Sequence, residues 1–156
     1  LRDAGVAAHQ RRVGVSVLVD PESALYGVDC LAADNAATVS ALAKAGVPVR
    51  FYRVEAGQEM HMKVFVATAQ HQAVWGVGSA NWAGTDMDKN TEVYGLFRNC
   101  RSTTQQAATL LSRDFDTAAV LPTDEQLACF DSAECRSTLR KACGTRLKSG
   151  WLSGRK

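Results

Sequence analysis

The pattern that most restricts the fold lies in the first third of the chain. Val13-Gly14-Val15-Ser16-Val17-Leu18-Val19 is short, apolar and rich in β-branched residues, and Asp20-Pro21 stops it. That combination predicts a buried strand. Asp34 or Asn35 can cap a following helix whose apolar positions run through Val39 and Leu42 to about Ala45. Gly46 stands where a glycine ends a helix, and Pro48 follows it. Val47 to Val54 predicts a second strand. Strand, helix and strand at this spacing predict a right-handed βαβ unit with parallel strands.

A second block of strands follows a polar loop over Glu55 to Glu59. His61 to Ala67, Val74 to Val77 and Thr91 to Phe97 each have strand character. Ser102-x-x-Gln105 and Thr103-x-x-Gln106 both fit a capping box. The helix they open would carry Ala107, Leu110, Leu111 and Phe115 on one stripe and end near Asp116. Pro122 changes the character to short helical patterns with three cysteines and a basic end, read as an extension packed on the domain. The expected division is a domain over 1–121 and an extension over 122–156.

Composition excludes several classes. With 156 residues, 46% apolar and 22% charged, the chain is an ordinary globular sequence with enough length for one core. A net charge of +2 is too small to imply nucleic acid or anionic membrane by itself. No apolar run reaches the ~20 residues of a membrane span. The sequence starts at Leu1, so it is expected to be a processed product or a piece of a longer chain. The five cysteines contain no C-x-x-C, and no histidine accompanies Cys129, Cys135 and Cys143, which argues against zinc. Disulfides in an oxidising compartment (secreted, periplasmic or lysosomal) and buried free thiols remain the two readings, with one cysteine left over.

The chemistry concentrates in His61-Met62-Lys63, Gly78-Ser79-Ala80-Asn81 and Glu92. On a strand, His61 and Lys63 would share one face. A neutral imidazole there can attack phosphorus and become a phosphohistidine. Lys63 and Asn81 would bind non-bridging oxygens and stabilise transition-state charge. Glu92, on reaching Nδ1, would fix the tautomer that leaves Nε2 free. Ser79 can donate a further hydrogen bond, Gly78 permits close backbone approach, and Trp82 would wall the pocket or fill core. The scheme needs no metal or other cofactor, because Lys63 supplies the positive charge. Asp86-x-Asp88-x-Asn90 starts like a calcium loop, but Thr91 and Phe97 hold the places where an EF-hand needs Gly and Glu. His71, in Gln70-His71-Gln72, is expected to be exposed, and Trp75 to be core.

His61-x-Lys63 followed by Gly78-Ser79-Ala80-Asn81-Trp82 resembles the H-x-K-x4-D and G-S-x-N signature of the phospholipase D superfamily. Glu92 stands where that family has an acceptor after the turn. The resemblance spans about Val13 to Asp116 and implies an α/β half-domain, a mixed sheet flanked by helices. Thr68 replaces the usual Asp, and the gap before the glycine turn is a few residues longer. His61-x-Lys63-x4-Thr68 and Arg113-Asp114-Phe115-Asp116 look similar to the lysosomal phospholipase-D-like exonucleases.

The resemblance implies a metal-independent phosphodiesterase whose leaving group is protonated by a histidine from a second H-x-K. This chain has three histidines, and neither His9 nor His71 lies in such a motif. The second half is therefore expected from the same precursor or from a homodimer partner. Nuclease action on single-stranded nucleic acid is the leading reading. Phospholipase or phosphatidyl-transferase activity is the alternative, and an inactive half serving folding or oligomerisation is the third.

Overall fold

The computed structural model describes residues 2–20, 35–53, 60–69, 72–80 and 91–141. The chain is a mixed α/β protein divided into two compact units. One unit comprises Leu1–Met60 with Ala118–Lys156, and the other comprises His61–Thr117.

The first unit contains the expected βαβ. Strand β1 (Val17–Val19) pairs in parallel with β2 (Val49–Tyr52), in the register Val17↔Val49 to Val19↔Phe51. Between them runs a helix over Ala36–Lys44; a helix over Arg2–Gln10 precedes it in sequence, and these are α2 and α1. The short strand β6 (Ala119–Val120) pairs antiparallel to β2, so the sheet order is β1-β2-β6. Strand β1 is shorter than its apolar run: residues 13–16 form no strand, because the parallel ladder begins only where Val17 N–H donates to Pro48 O at 2.9 Å.

Helix α2 shows how the sequence reads locally. Ala36, Val39, Ser40 and Leu42 are its buried positions, the spacing of one helical face. Asn35 occupies the N-cap, yet its side chain makes no cap bond, since its backbone is helical (φ −88°, ψ −8°) rather than extended; Asp34 lies outside the described residues. The C-terminus is a Schellman motif. Gly46 N–H donates to Ala43 O at 2.9 Å and Val47 N–H to Leu42 O at 3.0 Å, with Gly46 at φ +79°. Leu42 and Val47, one on each side of that motif, are both in the core.

Residues after Pro122 complete this core. A helix over Asp124–Asp131 (α4) starts at a capping box that the sequence reading missed: Gln126 N–H donates to Thr123 Oγ1 at 3.1 Å, and Thr123 N–H to Gln126 Oε1 at 2.9 Å. Phe130 packs edge-on against Phe51, centroids 6.3 Å apart. A further helical stretch covers 133–141, with Leu139 against the core. Cys129 and Cys135 form a disulfide across the turn between the helices, and Arg136 donates to Phe130 O and Asp131 O. Cys100 is a free, exposed thiol; Cys30 and Cys143 lie outside the described residues.

Asp131 ties α4 to α2 by accepting hydrogen bonds from Lys44 Nζ and Ser40 Oγ. The Lys44 ammonium, first by its hydrogen bond and then by its charge, holds the Asp131 carboxyl below its ordinary value. A carboxylate with a depressed folded pKa contributes stability above its unfolded pKa, about 3.9, and loses it as pH falls toward the folded value. Asp131→Asn is therefore expected to lower the urea midpoint near neutrality. That gap to wild type should close as pH falls below about 4; a gap of constant size would refute the tie.

The second unit is an antiparallel sheet, β3 (Val64–Ala69), β4 (Gln72–Gly78) and β5 (Tyr94–Arg98), in the order β3-β4-β5. It is followed by α3 (Arg101–Thr117). Trp75 stacks on Phe97 with centroids 4.4 Å apart and donates from Nε1 to Thr103 Oγ1 at 3.2 Å. It is half-buried rather than full core. The two capping boxes expected at Ser102 and Thr103 do not form. Asn99, left-handed at φ +57°, turns the chain so early that both residues already lie in the first turn. Thr103 and Thr104 instead donate to Cys100 O at 3.0 and 2.9 Å. Along α3, Ala107, Leu111 and Phe115 are half-buried, while Leu110 is exposed.

Candidate functional site

Antiparallel pairing brings the separated motifs to one end of the second sheet. The start of β3 lies beside the end of β4 (Val64↔Val77), and the end of β4 lies beside the start of β5 (Gly78↔Tyr94). His61 and Lys63 precede β3, Ser79 follows β4, and Glu92 precedes β5. Hydrogen bonds join them. Gly78 N–H donates to Lys63 O at 3.1 Å, and Ser79 N–H to Val93 O at 3.0 Å. The Ser79 hydroxyl accepts from Val93 N–H at 3.1 Å and donates to Glu92 Oε2.

Three sequence expectations change here. His61-Met62-Lys63 lies before the strand rather than on it, because the ladder opens only at Lys63 O. The two side chains are accordingly not equivalent: His61 is exposed, whereas Lys63 is 8% exposed. Lys63 Nζ donates to His61 O at 3.3 Å, which takes one of the three ammonium donors. Glu92 is half-buried, and its carboxylate is held by Ser79 rather than by the His61 imidazole. The serine expected to face a ligand thus has its hydroxyl engaged within the site.

Gly78 has a different reason from close ligand approach. A Cβ there would lie 2.1 Å from Tyr94 Cδ2 and 2.7 Å from Val93 O. The space above Gly78 is filled by the neighbouring strand, so only a residue without Cβ lets β5 close on the motif. Gly78→Ala is expected to destabilise the chain by about 1–3 kcal/mol, as overpacking against a backbone carbonyl does. Unchanged urea unfolding would contradict this packing.

Thr68 lies in β3 opposite Ala73, exposed and five residues from Lys63. At ~3.3 Å per residue it stands some 15 Å or more along the strand from the motif end. Asn81 and Trp82 lie outside the described residues, as do His71 and the Asp86-to-Asn90 loop. Among the described residues no cluster of three or more His, Cys, Asp or Glu could hold a metal ion, and no helix is long and apolar enough to cross a membrane. Sequence reasoning missed Val93, which acts through its backbone alone and therefore has no residue-type signal.

An exposed imidazole, a buried ammonium and a carboxylate held by Ser79 thus lie at one end of this sheet. Among proteins of curated function and among solved structures nothing matches the chain. Residues 1–117 match the family described as cardiolipin synthase, PLD-like domain. Together with the H-x-K and G-S-x-N motifs inside that stretch, the match makes the chain a member of the phospholipase D superfamily of phosphodiesterases.

Proposed function

We propose that this chain is one half of a metal-independent phosphodiesterase that works through a phosphohistidine on His61, with single-stranded nucleic acid as substrate. One observation carries the reading: the Gly78 N–H···O Lys63 bond, which joins the H-x-K and G-S segments at one sheet end. His61 Nε2 attacks phosphorus, the bond to the leaving oxygen breaks, and that oxygen takes a proton from the histidine of a second H-x-K half. Water then attacks the phosphohistidine, giving its proton to the histidine of the second half, the P–N bond breaks, and both histidines return to their starting states. Lys63 and Asn81 stabilise the charge on the non-bridging oxygens. Glu92, whose carboxylate accepts from the Ser79 hydroxyl, has the role of holding the Gly78-Ser79 turn in place beside the imidazole.

The second half comes from the same precursor or from a homodimer partner. The nucleic-acid reading draws on the Thr68 resemblance to the phospholipase-D-like exonucleases. The description of the matching family favours a second reading, phosphatidyl transfer on phospholipids.

Turnover of bis(p-nitrophenyl) phosphate by the protein with both halves present is expected to persist in excess EDTA. A strict requirement for added divalent metal would overturn the mechanism. Parallel assays on single-stranded DNA and phosphatidylglycerol distinguish the two substrates.

A further inference from the structure

We propose that the Cys129–Cys135 disulfide is a redox latch that sets whether α4 stays closed on the core of the first unit. The latch acts on this core and is independent of the phosphodiester chemistry.

Helix α4 has eight residues, too few to hold a helix together in water by itself. It stays in place because Leu127 and Phe130 pack inward, Phe130 against Phe51 of β2. The helix ends at Ser132, whose backbone is extended (φ −77°, ψ 123°). Ser132 also starts the next helical stretch. Its Oγ accepts from Cys135 N–H at 3.2 Å, and its carbonyl accepts from Arg136 N–H at 3.0 Å. Cys129 therefore lies in the last turn of α4, and Cys135 in the first turn of the stretch that follows. The bond between them fixes the corner that brings Phe130 and Leu139 onto one core.

Two features make this corner switchable. Both cysteines are half-buried rather than enclosed, so a thiolate from solvent can reach a sulfur. The closed loop is short, with a sequence separation of six, so the bond restricts the unfolded chain less than a long loop would. Its loss is felt first at the corner. The polar tie that remains, Lys44 to Asp131, joins two exposed side chains and is weak by itself.

A dithiol reductant operates the latch. Its thiolate attacks one sulfur and displaces the other cysteine; its second thiolate then frees the first, and the reductant leaves as its own disulfide. Two electrons and two protons end on Cys129 and Cys135 as thiols.

Amide hydrogen exchange of the full chain, oxidised and in dithiothreitol, tests the latch. Leu127 N–H donates to Thr123 O, Ser132 N–H to Ala128 O and Arg136 N–H to Ser132 O. Reduction is expected to speed exchange at these three amides about ten-fold or more. Val17 N–H on Pro48 O and Val47 N–H on Leu42 O should keep their rates. The double variant Cys129→Ser/Cys135→Ser is expected to show the fast rates without reductant and no further change with it. Unchanged exchange on reduction overturns the proposal. So does an equal rise at Val17 and Val47, which would make the disulfide a general stabiliser. A reductant response that persists in the double variant would assign the effect to other sulfurs and also overturn it.

Discussion

His61→Ala is expected to lower kcat for phosphodiester turnover by roughly ten-thousand-fold or more, the scale on which loss of a covalent nucleophile is felt. The substitution removes the atom that would bond to phosphorus, and among the described residues the neighbouring Lys63 is a cation and Glu92 is held by Ser79. Stability should be nearly unaffected. His61 is exposed and precedes the β3 ladder, and its carbonyl, which receives Lys63 Nζ, survives in alanine. Thermal unfolding beside steady-state kinetics checks both halves of this expectation. Retained activity in a folded His61→Ala chain would remove the nucleophile from the mechanism.

Phe130→Ala is the substitution expected to cost the most stability, about 3–5 kcal/mol. Phe130 is 2% exposed and packs edge-on against Phe51, itself 1% exposed, on the central strand of the first sheet. Truncation leaves a cavity under α4 that the neighbouring backbone can fill only in part. The Cys129–Cys135 disulfide and the Lys44–Asp131 pair would still hold the helix in place, which limits collapse into that cavity. Equilibrium urea unfolding should show a lower midpoint with an unchanged slope. A loss below about 1 kcal/mol would mean that the aromatic pair does not anchor α4. Phe130 lies beyond the residues 1–117 that match the family, so this chain closes its first core with a segment outside the matched stretch.

Legibility varied with the range of the interaction. Helix α2 was readable to within a residue, because its apolar spacing and its Gly46 terminus are local properties. The capping boxes at Ser102 and Thr103 were misread for a related reason. The pattern was present, but the helix start was set by Asn99 turning out of β5 and donating to Ala73 O of β4. The box that does form, at Thr123, has the same pattern. Strand limits were less legible, since a β-branched run shows strand character without showing where its partner begins.

In the candidate site the sequence alone determined the residue types and their order: an imidazole and an ammonium in H-x-K, the glycine turn, and the acid at Glu92. Those types bound the chemistry, because only certain side chains attack phosphorus or neutralise its oxygens. Tertiary structure decided how they meet. Antiparallel pairing carried three separated segments to one sheet end, buried Lys63 while leaving His61 exposed, and gave Glu92 to Ser79. Burial and hydrogen-bond partners of this kind depend on which backbone lies opposite, and strand register, a contact between distant residues, sets that.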